Sequence, residues 1–148
     1  MSDLRDLYQE VILDHSKRPR NFHAIDGAEL AKGHNPLCGD RVTVFVKVVD
    51  GVVADVGFQG DGCAISKASA SLMTEAVKGR REDEVRHLFA LFHDVCTKDD
   101  VEDPEGELDK LEVFSGVREY PVRVKCATLP WHTLVAALDR KPDTIKTE

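Results

Sequence analysis

No apolar stretch in these 148 residues approaches the roughly 20 residues that a bilayer-spanning helix needs, so a membrane span is not expected. The first fourteen residues carry acids where a signal peptide would carry a basic region, and a cytoplasmic protein is the expectation. An excess of basic charge is missing too. With 20 Lys and Arg against 27 Asp and Glu the formal net charge is −7, which argues against a nucleic-acid binder that neutralises phosphates. Internal repeats and a Cys-x-x-Cys pair are also lacking, which removes solenoid architectures and the short-range signature of zinc fingers.

What is present reads as an ordinary globular chain. The hydrophobic share is 42% and the charged share 32%, enough to build a core across residues 1–148 as a single domain. The negative charge is local. Seven acids and no base lie between Lys98 and Lys110, and removing those seven leaves 20 acids against 20 bases. Such a run reads as a solvated loop.

Periodicity gives the elements. Leu4, Leu7, Tyr8, Val11 and Ile12 form one helical stripe that closes before Pro19. Residues 22–39 read as loop, with a short strand near Ala28 to Ala31. Val42, Val44, Val46 and Val48 alternate, Asp50-Gly51 supplies a tight turn, and 52–58 runs extended again, which predicts a β-hairpin. Residues 64–78 read as a helix stopped by Gly79. A third helix starts near Arg81 and presents Val85, Leu88, Phe89, Phe92 and Val95 to the core. A short apolar piece (Leu108, Leu111, Val113, Phe114) follows the acids. Pro130 then reads as the first turn of a last helix capped by Thr128, and the tail from Lys141 is expected to fray. Strand-helix-strand alternation is absent, so the fold class is α+β: a small antiparallel sheet of about three strands packed with several helices.

Four cysteines without an export signal point to metal ligands, nucleophiles or buried thiols rather than disulfides. Cys96 falls beside the apolar stripe of the third helix and reads as a small hydrophobe. Cys38, Cys63 and Cys126 each sit at a break or junction, and Cys63 falls at a helix start, where backbone N–H groups favour thiolate. Cys38 and Asp40, two apart at the entry to a strand, face the same side. With Cys63 and Cys126 they would make three thiolates and one carboxylate, a donor set that suits tetrahedral zinc better than magnesium or calcium. The spacing alone leaves such a site and scattered structural cysteines equally open. The six histidines are read as surface or hydrogen-bonded residues rather than ligands, and the roles of Arg123 and Lys125 stay open.

Three phrases go further: Gly33-His34-Asn35-Pro36-Leu37-Cys38-Gly39-Asp40, Gly60-Asp61-Gly62-Cys63-Ala64-Ile65-Ser66-Lys67, and Arg123-Val124-Lys125-Cys126-Ala127-Thr128-Leu129-Pro130-Trp131. Together with the opening Leu7-Tyr8-Gln9-Glu10-Val11-Ile12-Leu13-Asp14-His15, they resemble the IscU-like iron–sulfur scaffold superfamily over nearly the whole chain. Within it the chain is similar to the SufU branch of zinc-dependent sulfurtransferases. Lys125 stands where scaffold-type members have a histidine, the Leu-Pro-Pro-Val-Lys chaperone-recognition stretch of those members is absent, and the interval from Cys63 to Cys126 is long.

The resemblance implies an IscU/SufU-like fold and zinc, Zn(2+), held by Cys38, Asp40, Cys63 and Cys126. It also implies that Cys38 accepts persulfide sulfur from a SufS-type pyridoxal-phosphate cysteine desulfurase, for delivery to downstream iron–sulfur assembly proteins. Cys38 would give up its place on the metal to a partner histidine. Three thiolates and a carboxylate leave a divalent ion with an excess charge of −2, so one anionic donor is replaceable by a neutral imidazole. The alternatives are a scaffold on which an Fe–S cluster of [2Fe–2S] type is assembled on the same cysteines, and a purely structural zinc.

Overall fold

The computed structural model describes residues 3–98, 101–103, 106–140 and 144–146. Strands β2 (Asp40–Val49) and β3 (Val52–Asp61) form the expected antiparallel hairpin. Asp50 and Gly51 both take positive φ, 53° and 77°, as a tight two-residue turn requires.

Strand β1 (Glu29–Asn35) pairs antiparallel with β2, from Glu29 opposite Val46 to Asn35 opposite Asp40. The expected short strand near Ala28 to Ala31 is therefore four residues too short at its end. Gly33 and Asn35, which read as breakers, are strand residues for tertiary reasons. A Cβ on Gly33 would overlap Thr133 Oγ1 and lie 3.0 Å from Leu129 Cδ1, so glycine is what lets the last helix press against the sheet. The tail also departs from expectation. Residues 141–143 and 147–148 lie outside the described residues, but Ile145–Lys146 form β4, parallel to β1, giving the order β3-β2-β1-β4.

Alternation turns Ala31, Val42, Val44, Val46, Val56 and Phe58 inward, all buried. Helix α2 (Ala64–Val77) packs over β3, and α4 (Pro121–Leu138) over β1 and β2. Helix α1 (Asp3–Lys17) lies against α2, while α3 (Glu82–Thr97) lies against α4 and a 3₁₀ segment over Asp109–Glu119. Among the described residues, three antiparallel strands extended by the two-residue β4, packed with four α-helices and one 3₁₀ segment, make the predicted α+β class. Trp131, Phe92, Phe114, Met73, Leu88 and Leu129 fill the centre, with Trp131 stacked on Phe92 at 4.9 Å between ring centroids. Phe89 is half-buried and stacks on the same indole at 5.9 Å.

The last helix corrects a further expectation. Pro121 opens it, and Pro130, read as its first turn, lies inside. A proline there removes the N–H that would bond the carbonyl four residues back. Hydroxyls bond neighbouring carbonyls of the same helix: Thr128 Oγ1 donates to Val124 O at 2.9 Å, Ser69 Oγ to Ala127 O at 2.5 Å and Thr133 Oγ1 to Leu129 O at 2.8 Å. Cys126 consequently lies within α4 and not ahead of it.

The acidic run is partly structural. Asp103 accepts the N–H groups of Glu107 and Leu108 at 2.8 and 2.9 Å. Among the described residues no helix is long and apolar enough to cross a membrane.

Candidate metal and sulfur site

The turn between β1 and β2 places the first two donors. Asn35 Oδ1 accepts the Leu37 N–H at 3.1 Å, Gly39 takes φ 72°, and the chain re-enters the sheet at Asp40. Cys38 is half-buried on this turn, whereas Asp40 is fully buried.

The third donor comes from the junction of β3 and α2. Cys63 is the N-cap of α2, in extended conformation, and its Sγ accepts the Ser66 N–H at 3.5 Å. Its own N–H donates to Asp40 Oδ1 at 2.8 Å, which ties the helix start to the strand start. A Cβ on Gly62 would sit 2.9 Å from that same carboxylate oxygen, so the bare glycine lets Asp40 approach the helix start.

Cys126, in the second turn of α4, brings the fourth. It is fully buried, with its Sγ 3.1 Å from Cys38 Sγ and 3.7 Å from Asn35 Nδ2. One donor atom each from Cys38, Asp40 and Cys126 lies within 4.8 Å of the other two. Cys63 Sγ is 3.8 Å from Asp40 Oδ2. Of the four sequence-predicted residues, Cys38, Asp40 and Cys126 thus converge from a turn, a strand and a helix interior, and Cys63 lies outside that mutual group, beside Asp40, at a helix cap. Among the described residues no histidine joins a converging group of three or more such donors.

The thiols are electrically unequal. Cys63 is lowered to about 6, chiefly by the hydrogen bond from Cys126 and further by the Ser66 N–H, against the opposing effect of burial. Cys126 is raised, first by that same bond to Cys63 and then by burial. Cys96 is apart from the cluster, fully buried, and pushed up to about 12 by burial alone, consistent with a small core hydrophobe. The exposed Arg123 guanidinium is held above its usual range, most by Cys63 and then by Cys126 and Cys38, so it faces the sulfurs.

The donor set suits a divalent soft-to-borderline ion. Two thiolates on a tetrahedral zinc with bonds of about 2.3 Å sit roughly 3.8 Å apart. A thiolate and a carboxylate oxygen on the same ion sit roughly 3.5 Å apart, so the Cys63–Asp40 separation of 3.8 Å needs a small closing and the Cys38–Cys126 separation of 3.1 Å an opening of under an ångström. Cys38, Asp40, Cys63 and Cys126 are the residues that could hold such an ion. Above them opens a cavity of about 680 Å³ lined by Leu37, Cys38, Cys63, Tyr120, Val122 and Arg123. Leu37 and Tyr120 are 64% and 60% exposed at its rim, so a large reactant has direct access to Cys38.

Two neighbours were not assigned a role by sequence reasoning. Asn35 reads as a loop residue until β1 is seen to reach it, and Arg123, whose role the sequence leaves open between a solvated base and charge compensation near the metal, lines the cavity beside Cys38 and Cys63 once α4 begins at Pro121.

Fold and donor set define a class, small α+β proteins that gather thiols from separate chain segments into one open site. The chain belongs to the NifU-like N-terminal domain family, whose model matches residues 7–138. The iron–sulfur cluster assembly scaffold protein IscU of Streptococcus pyogenes serotype M1 is 40% identical over 141 residues, covering 95% of this chain and 87% of that protein. The zinc-dependent sulfurtransferase SufU of Bacillus subtilis (strain 168) is 38% identical over 133 residues, 90% of each. A crystal structure from Fervidobacterium islandicum AW-1, assigned as a scaffold for iron–sulfur cluster assembly in the SUF system, superposes with TM-score 0.81 at 36% identity. It covers 90% of this chain and 98% of that one.

Proposed function

We propose that this chain serves iron–sulfur cluster assembly as a zinc-dependent sulfurtransferase, taking persulfide sulfur from a cysteine desulfurase onto Cys38. The observation that carries the reading is the convergence of Cys38, Asp40 and Cys126, with Cys63 alongside, at the floor of an open cavity. The names of the relatives support assembly chemistry in general, and Lys125 in place of a histidine supports the sulfurtransferase branch.

Zinc, when bound, supplies the positive charge that keeps the thiols deprotonated near neutral pH. The residues divide the remaining work. Asp40 and Cys126 are fully buried and Cys63 is fixed as a helix cap, so they anchor. Cys38, half-buried on a turn beside Gly39, is the donor free to move outward. Its thiolate attacks the terminal sulfur of the desulfurase persulfide. The sulfur–sulfur bond there breaks, the desulfurase cysteine departs as thiolate, and Cys38 holds the terminal sulfur as a persulfide. Arg123 at the cavity lining places a positive charge beside these anions.

A second reading, a scaffold that holds a [2Fe–2S] cluster as cargo on the same cysteines, is favoured by the scaffold name of the Streptococcus relative. One experiment separates them. Metal content of the purified chain is measured, followed by desulfurase turnover with wild type and Cys38→Ala. The proposal expects zinc near one per chain and stimulation abolished in C38A with the fold retained. Iron and sulfide in the purified chain, or unchanged stimulation by C38A, would overturn it.

A further inference from the structure

We propose that Asn35 is a positioning residue for the metal site, acting through Cys126 and the Cys38 turn; the inference rests on the metal reading given above. Asn35 is fully buried at the last rung of β1, opposite Asp40. A buried primary amide must place both ends, because an unpaired one costs about 1–3 kcal/mol. Here the ends go to different partners. Oδ1 accepts the Leu37 N–H at 3.1 Å, which fixes the oxygen toward the turn and aims the NH₂ group at Cys126 Sγ, 3.7 Å away.

One side chain thus holds two donors in register. Its acceptor end shapes the 35–40 turn on which Cys38 sits, and its donor end orients the sulfur of Cys126 deep in α4. The donor end matters more for a metal. The proposed donor set is more negative than the ion it would hold, and an N–H directed at a buried sulfur draws off part of that excess without adding a ligand. The sequence places no other side-chain amide in the three cysteine phrases. Neighbouring Arg123 supplies positive charge from the exposed side, whereas Asn35 supplies its dipole from the buried side.

Replacing the amide tests which end matters. Asn35→Asp keeps an oxygen for the Leu37 N–H but removes the donor and adds negative charge beside the sulfur. Asn35→Ala removes both ends. Zinc affinity is measured by competition with a chromophoric chelator, the cobalt-substituted protein is compared by its thiolate-to-metal charge-transfer and ligand-field bands, and thermal stability is measured on the metal-free chains. The inference expects N35D, which buries a carboxylate beside Asp40 and Cys126, to melt below wild type when metal-free but to remain folded, and to bind zinc about 10–100-fold more weakly with altered cobalt bands. It expects N35A to lose both stability and affinity.

If N35D matches wild type in affinity and spectrum, Asn35 only shapes the turn and the inference falls while the metal reading stands. If wild type itself binds neither ion at about one per chain, the metal reading falls and takes this inference with it.

Discussion

Asp40 ties a strand to a helix and is a proposed metal donor, and two substitutions pull these roles apart. Its Oδ1 accepts the Cys63 N–H at 2.8 Å, and its Oδ2 faces Cys63 Sγ at 3.8 Å, with the whole side chain out of contact with water. Asp40→Ala deletes a hydrogen bond from a backbone N–H to a charged acceptor, worth about 2 kcal/mol. For a chain of this size that corresponds to a drop in Tm of roughly 4–8 °C. Asp40→Asn leaves an oxygen in place for the N–H, so the metal-free protein should stay within about 1 kcal/mol of wild type. The anionic donor is gone, however, and zinc affinity should fall by more than the ~10–100-fold that outer partners contribute. The assay is paired: guanidinium unfolding of metal-free protein under reductant, and chelator competition for zinc. D40A as stable as wild type would refute the strand-to-helix tie. D40N binding zinc as tightly as wild type would remove Asp40 from the donor set.

Other consequences are as direct. In the metal-free chain near pH 7, limiting alkylation read by mass spectrometry should label Cys63 early and leave Cys96 unlabelled until the protein unfolds, given values of about 6 and about 12; equal rates would contradict the burial argument. Gly33→Ala should cost about 1–3 kcal/mol in chemical denaturation, because the added methyl overlaps Thr133 Oγ1, and an unchanged midpoint would refute the close approach of α4. Burial, reinforced by Arg20 and opposed by Glu75 and Asp14, holds His15 below its ordinary 6.5, so the unfolded chain binds the proton more readily. Stability from this group is complete above 6.5 and declines as the pH falls below it, by at most about 1.4 kcal/mol per pH unit. His132 is lowered by burial too and adds a slope of the same sign, so the check is the difference between wild type and His15→Gln, which should flatten the acid side.

Much of this was readable from local pattern, and the failures share a cause. The β2–β3 hairpin, α2 and α3 follow from period and punctuation: Asp50-Gly51 can take two positive φ angles, Gly79 takes φ 87° just past α2, and Glu84 caps the Arg81 N–H at 3.0 Å. The misplaced boundaries fall where tertiary contacts override a local breaker. Gly33 stays in β1 because α4 occupies the space of a side chain, and Pro130 stays inside α4 in a stretch packed into the core, where Leu129, Trp131 and Leu134 are fully buried. The four proposed donors follow from residue type and resemblance. Their support does not: the second hydrogen bond of Asn35 and the approach of Arg123 depend on where β1 ends and α4 begins, which no window of sequence reports.

The proposed function stands or falls with sulfur transfer onto Cys38. The most direct measurement is mass spectrometry of the zinc-loaded chain after incubation with a cysteine desulfurase and cysteine, followed by peptide mapping. Transfer onto Cys38 predicts a mass increase of one sulfur atom, located on the peptide containing Cys38 and reversed by reductant. A chain that gains no sulfur while the desulfurase turns over, or gains it only on another cysteine, would contradict it.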